Sequence, residues 1–177
     1  MIGQFKEWIT DIQNTALSEK RKKAEEKGDV SKWKKEIWKS PEKNKAIKAR
    51  FLKEGRLRGY RPRPSDNSGE WLYDFVWREF DAENNLVRVV LTMEIEVSGM
   101  TESAIKYDFQ KLLQADSEYK ILVFQLKTEA EIQNALNNFR RCAQIYQVRV
   151  DARYLLCGWC IAKNEFIFED FHMTANA

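Results

Sequence analysis

The sequence predicts a single α/β domain: a mixed sheet built on a central β-hairpin, flanked by helices and preceded by N-terminal helices. Three observations carry that prediction. Residues 71–97 alternate between apolar and polar positions in two arms, as strands with one buried face do. Residues 119–126, YKILVFQL, are a nearly continuous apolar run of strand length, the signature of a strand covered on both faces. From Thr101 onward, stretches of helical spacing alternate with strand-like runs, which implies strands joined by covering helices. A chain of 177 residues, 44% hydrophobic and 12% aromatic, suffices for one domain with a real core. It divides into a basic helical part (1–55), an Arg-rich loop (56–69) and an α/β core (70–177).

In order, the first helix is expected over residues 3–26, where Phe5, Trp8, Ile9, Ile12 and Ala16 recur at helical spacing before a charged continuation. Gly28-Asp29 breaks it. A second helical stretch begins near Ser31, with Trp33, Ile37 and Trp38 as its apolar stripe. Ser40-Pro41-Glu42 starts a third, proline suiting a first helical turn; Ala46, Ile47, Phe51 and Leu52 form its buried face, and Gly55 ends it. RLRGYRPRPSDNSG (56–69) reads as a loop. Its arginines, Arg56, Arg58, Arg61 and Arg63, carry planar groups suited to bidentate phosphate contacts.

The hairpin follows. Trp71, Tyr73, Phe75 and Trp77 share one face of the first arm. Val87, Val89, Leu91, Met93, Ile95 and Val97 share one face of the second. Asp81 to Asn85 supply the turn. With those five residues as loop, Phe80 pairs with Leu86 and Asp74 lies opposite Thr92, with Glu94 its diagonal neighbour about 7–8 Å away. Asp74, Glu94 and Glu96 then gather on one side. Thr101 caps a helix from Glu102 to about Ala115, whose apolar face is Ile105, Phe109, Leu112 and Leu113, with Asp108 and Lys111 on its flank. A strand at 119–126, a helix from Thr128 to about Tyr146 and strands at 153–161 and 166–171 complete the series.

Three gathered carboxylates repel one another, and each resists ionising unless a cation lies between them. Mg²⁺ and similar hard ions are held by a few such oxygens, with water and substrate phosphate completing the shell. A solvated acidic strand face is the plainer reading of the same spacing.

Asp74, then Glu94-Ile95-Glu96 on the next strand, then a helix containing Asp108-Phe-Gln-Lys111, resembles the PD-(D/E)XK nuclease superfamily, also called restriction-endonuclease-like. The resemblance covers roughly residues 70 to 126. It departs from the motif at Tyr73, which stands in place of proline, and at Glu96, which stands in place of lysine. The resemblance implies a restriction-endonuclease-like fold and a nuclease dependent on Mg²⁺ or Mn²⁺ that hydrolyses phosphodiester bonds. Asp74, Glu94 and the carbonyl of Ile95 would hold the metal. Some members use glutamate at the lysine position and others move the lysine to the following helix, so either Glu96 or Lys111 would attend the attacking water. The alternative is a module that keeps the fold and binds nucleic acid or a protein without cutting. An acidic-faced interaction protein with no nucleic-acid partner is a third reading.

Charge distribution agrees with a nucleic-acid partner, and the resemblance implies DNA more than RNA. Residues 20–63 hold 18 Lys or Arg against 6 Asp or Glu, whereas the remainder holds 12 against 21. The overall charge of +3 therefore hides a bipolar chain. A basic segment can hold a phosphate backbone beside an acidic centre. A lysine-rich solvated helix surface accounts for the lysines upstream of residue 49 better than for the four arginines.

Other chemistries find little footing. No run of about 18 apolar residues exists, so no membrane partner is expected. The N-terminus is amphipathic and unlike a secretory leader. Three cysteines and the absence of a second CxxC pair suggest a reducing, cytoplasmic setting, with Cys157 and Cys160 on opposite strand faces as buried thiols. A single histidine, His172, argues against Ser–His or Cys–His hydrolysis. No Gly-rich phosphate loop is present. A homodimer is left open.

Overall fold

Among the residues that the computed structural model describes (1–28, 38–99 and 101–175), four helices and six strands follow one another. They are α1 (Ile2–Glu26), α2 (Ser40–Leu57), β1 (Arg61–Arg63), β2 (Phe75–Phe80), β3 (Leu86–Glu96), α3 (Glu102–Gln114), β4 (Ser117–Leu126), α4 (Glu129–Ile145), β5 (Ala152–Cys160) and β6 (Glu165–Met173). The strands lie side by side in chain order in one sheet. Pairing is antiparallel at β1–β2, β2–β3 and β5–β6 and parallel at β3–β4 and β4–β5. The parallel pairs are those joined by α3 and α4, because a parallel return needs a crossover long enough to hold a helix. No helix among the described residues is long and apolar enough to cross a membrane.

Each face of the sheet has its own core. On one, α1 and α2 bring Phe5, Trp8, Ile9, Ile47 and Phe51 onto Phe75, Trp77, Leu91, Met93, Ile121 and Val123. On the other, α3 and α4 bring Ile105, Phe109, Leu112, Ile132 and Phe139 onto Leu122, Phe124, Tyr154 and Leu156. Strand β4 divides its side chains between the two cores, as its unbroken apolar run predicts. Cys157 belongs to the first and Cys160 to the second, so the two thiols point away from each other. Helix α4 starts on a capping box: Thr128 Oγ1 accepts from Glu131 N at 3.3 Å, and Glu131 Oε2 accepts from Thr128 N at 2.8 Å.

Several expectations are corrected. Gly55 does not end α2, which runs on to Leu57; the left-handed residue beyond it is Gly59 (φ +80°). Gly55 is there because Trp77 packs against it. A Cβ at Gly55 would lie 2.8 and 2.9 Å from Cδ1 and Cε2 of the Trp77 indole, and closer still to its Nε1. That ring is fixed by an Nε1–H bond to the Phe51 carbonyl at 2.9 Å, so it cannot give way. Gly55→Ala is therefore expected to cost about 2 kcal/mol, the usual scale of overpacking, even though alanine is the better helix former. Urea denaturation checks it, and a neutral or stabilised variant would refute the packing argument.

The expected loop 56–69 is interrupted: Arg56 and Leu57 finish α2, and Arg61–Arg63 is an edge strand. Of the helical stretch expected near Ser31, Trp38 is described and buried, while Trp33 and Ile37 lie outside the described residues. The hairpin also begins later than expected, because Leu72 has a left-handed backbone (φ 61°) and Tyr73 N donates to the Trp71 carbonyl at 2.7 Å. That tight turn removes Trp71 and Tyr73 from the face that Phe75 and Trp77 bury.

Register is the remaining correction. Phe80 faces Leu86, as the turn predicts, but Val76, not Asp74, faces Thr92. Two irregularities intervene, leaving Val87 and Val90 of β3 without a partner in β2. Each adds one residue to β3. Continuing the final register one residue beyond β2 brings Asp74 level with Glu94 instead of diagonal to it.

Candidate active site

The residues singled out around the hairpin come together on the α3 side of the sheet. Glu94 and Thr92 point to that side because Leu91, Met93 and Ile95 point to the other. Glu94 is the one buried acid among the described residues, only 1% exposed. Helix α3 then passes over β3, and its apolar face (Ile105, Phe109, Leu112) fixes its rotation. That rotation puts Asp108 and Lys111, one turn apart on the flank, beside Glu94. Lys111 Nζ stands 2.7 Å from Glu94 Oε1 and 3.5 Å from Asp108 Oδ1.

The Lys111 ammonium is the one partner of Glu94 Oε1, and no further donor among the described residues joins it. A buried carboxylate in that condition is poorly stabilised as an anion. Burial pushes the Glu94 carboxyl up to about 7; Lys111 opposes that rise and Asp74 adds to it. Asp108 is also raised, by burial first, with Asp74 and Glu96 adding to it against the pull of Lys111. Burial draws the Lys111 ammonium down, but Glu94, Asp108 and Asp74 more than offset it, so Lys111 is held above the usual lysine range. Tyr73 is raised by burial and by the neighbouring Glu94.

Asp74 and Glu96 each spend an oxygen on the chain itself. Asp74 Oδ2 accepts from Ile95 N at 2.7 Å, which ties the start of β2 to the centre of the site and holds the Ile95 peptide there. Glu96 Oε1 accepts from Ser98 N (3.1 Å), Ser98 Oγ (2.9 Å) and Gly99 N (2.7 Å), so it closes the turn after β3. Glu96 remains near enough to Asp108 to raise it.

The four arginines do not form one patch. Arg56 Nη2 is 2.6 Å from Asp66 Oδ2. Arg58 Nη1 is 2.6 Å from Glu54 Oε2, and its guanidinium lies 4.6 Å from the Trp8 ring centre. Arg61 and Arg63 sit on β1 opposite Arg78 and Val76, beside the start of the acidic group. Arg78 and Asp108 are not among the residues first assigned to the site. The three-residue spacing of Asp108 and Lys111 on one flank was the available signal for the second; nothing in the sequence marks Arg78, whose neighbours come from β1.

As to metal, no three carboxylate, histidine or cysteine side chains among the described residues stand close enough together to hold an ion as they are. The donor chemistry nevertheless suits a hard cation: a buried Glu94 oxygen whose one partner is a lysine, a second carboxylate level with it, and a third on α3. The Lys111 ammonium supplies the compensating positive charge in this arrangement. No family model matches the chain, and no curated protein or solved structure matches it.

Proposed function

We propose that this protein is a divalent-metal-dependent nuclease with a restriction-endonuclease-like fold, hydrolysing phosphodiester bonds in nucleic acid, with DNA the favoured substrate. The observation that supports it most is the meeting of Glu94, Asp108 and Lys111 beside Asp74, on a strand, strand, helix, strand succession (β2, β3, α3, β4) of the kind on which the family resemblance rests. Asp74, Glu94 and the Ile95 carbonyl would hold Mg²⁺ or Mn²⁺, which when bound supplies positive charge for the phosphate and makes water a better nucleophile. Glu94 must give up its proton before it can act as a ligand. Lys111, which pairs with Glu94 here, would be placed to neutralise a phosphate oxygen as negative charge builds there. Asp108 steers that ammonium. Glu96, with Oε1 committed to the turn, has its other oxygen for orienting water.

The direct test is cleavage of labelled single- and double-stranded DNA and RNA in Mg²⁺ and Mn²⁺. A complete lack of cutting, with binding retained, would establish the second reading, a binding module on the same fold. The commitment of Asp74 and Glu96 to their own backbone is the observation that favours that reading.

Which residue replaces the motif lysine is separable. Lys111→Met keeps most of the apolar stem but removes the charge beside buried Glu94, so stability should fall by about 1–3 kcal/mol at pH 7 and little at pH 5, where Glu94 is protonated, while single-turnover cleavage falls by about 100-fold. Glu96→Gln can still accept from Ser98 and Gly99, and a loss of less than about tenfold is expected. The reverse ranking would assign the role to Glu96.

A further inference from the structure

Beside the acidic group, no helix among the described residues packs on the α3 side of the sheet over β1 and β2. Helix α3 packs on β3 and β4, and α4 on β4, β5 and β6. On the β1–β2 portion, where Val76 is buried and Arg78 half-buried, aromatic and guanidinium groups alternate. Arg78 lies 5.4 Å from the Trp71 ring centre and 5.3 Å from that of Phe80, and Arg61 lies 4.6 Å from Phe80. Arg61 pairs across the strands with Arg78, and Arg63 with Val76, which puts three guanidinium groups on one side.

These cations have few partners. Arg61 Nη2 donates to Asn84 Oδ1 at 2.8 Å, and Arg63 Nε to the Gly69 carbonyl at 3.1 Å. Arg78 Nε is buried with no acceptor among the described residues. None of the three is within 4.0 Å of a carboxylate there, whereas Arg50, Arg56, Arg58, Arg88 and Arg140 all are. Burial draws Arg78 down from the usual arginine range, and Arg63 and Arg61 draw it down further. Three like charges on one strip, two of them beside aromatic rings, form a site short of an anion.

The turn that leads from this strip to Asp74 is the second observation. Leu72 is 71% exposed and Trp71 37% exposed. Leu72 also holds a left-handed backbone (φ 61°), which a leucine adopts at a cost and normally only where the surroundings require it. Two large apolar side chains are thus presented to solvent two to three residues before the leading carboxylate. Arginines alone would accept any phosphate backbone. An exposed apolar tip gains only from exposed base faces, and those belong to unpaired strands.

We infer that the Arg61–Arg63–Arg78 strip, with the Trp71–Leu72 turn, binds single-stranded nucleic acid, phosphates on the arginines and bases against the turn. The inference rests on the nucleic-acid reading above, not on cleavage. The ordinary alternative, an arginine–aromatic ladder that merely covers an open sheet face, predicts no preference between strands.

The test is fluorescence anisotropy in EDTA with a labelled 20-nucleotide oligo-dT and a 20-base-pair duplex, so that no cutting is involved. Oligo-dT should bind at least tenfold more tightly than the duplex. Changing Arg61, Arg63 and Arg78 together to Gln should weaken oligo-dT binding steeply and lower the slope of log affinity against log salt by about 2, as three lost phosphate contacts require. Trp71→Ala should weaken it about tenfold with the slope unchanged, because stacking releases no counterions. Since the triple variant could lose stability, Arg78→Lys serves as a second probe: it keeps the charge and loses the planar fork, so affinity should fall with the slope retained. Tighter binding of the duplex, or wild-type affinity in both the triple and the Trp71 variants, would overturn the inference. Cleavage that fails while these binding results hold would remove the nuclease reading alone.

Discussion

Asp74→Asn and Glu94→Gln are each expected to reduce metal-dependent cleavage by at least about 1,000-fold while the protein stays folded. Both changes keep shape and remove one negative charge. Asparagine in place of Asp74 would still offer an oxygen to the Ile95 N–H, the 2.7 Å bond that fixes the start of β2, so local structure should persist. Glutamine in place of Glu94 would still present an oxygen beside Lys111. What is lost in either case is the charge needed to hold a divalent ion at the buried end of the site. Single-turnover rates at saturating Mg²⁺ would measure this, with circular dichroism and thermal melts as the check on folding. Cleavage within tenfold of wild type by both variants would sink the assignment of metal ligands.

Glu94 should also make the metal-free protein less stable as pH rises. Its folded carboxyl titrates near 7, above the ordinary value of 4.5, so the native state holds this proton more tightly than the unfolded chain does. Below about pH 4.5 both states are protonated and no penalty arises. Between about 4.5 and 7 stability falls with rising pH, and above 7 the full penalty of about 3 kcal/mol applies. Glu94→Gln, which never ionises, should gain on wild type by about 2 kcal/mol more at pH 8 than at pH 5, the attraction of Lys111 being already contained in the raised carboxyl value. Urea titrations in EDTA at the two pH values would read the difference. Saturating Mg²⁺ should then close the gap at pH 8, because the ion binds the folded wild type and not the variant. An equal difference at both pH values would mean that Glu94 ionises in the native state as freely as in the unfolded one.

What the sequence disclosed follows from how local each signal is. The phase of Leu91, Met93, Ile95 and Val97 assigns Glu94 and Glu96 to the opposite side, and that assignment needs no partner strand. Helix α3 is legible from Ile105, Phe109 and Leu112, and its short link to β3 was enough to bring Lys111 toward Glu94. The features that escaped depend on distant chain. Gly55 reads as a helix stop until Trp77, 22 residues later, is seen to press against it. Arg61–Arg63 looks like loop because a three-residue edge strand has no periodicity to detect. Arg78 looks like an ordinary surface position because its arginine and aromatic neighbours come from β1 and from the turn at Trp71. The two irregularities in β3 left no trace, since Val87 and Val90 are as suited to a strand as their neighbours.

Those two extra valines set rules for how this protein can change length. A residue accommodated as a bulge stands outside the ladder, so the residues on either side of it keep their partners and their faces. Because β3 carries two, it advances by two residues against β2, and Glu94 instead of Thr92 stands level with Asp74. Deleting Val87 or Val90 would remove one bulge while Arg78 still faces Val89, Trp77 still faces Leu91 and Glu94 keeps its side. Deleting a residue between Leu91 and Glu94, where no bulge absorbs the change, would instead turn Glu94 toward the Phe5–Trp77 core. Descendants of this chain could therefore change length at Val87, at Val90 or at the exposed tip beyond Phe80 with the acidic group still assembled, but not between Leu91 and Glu94.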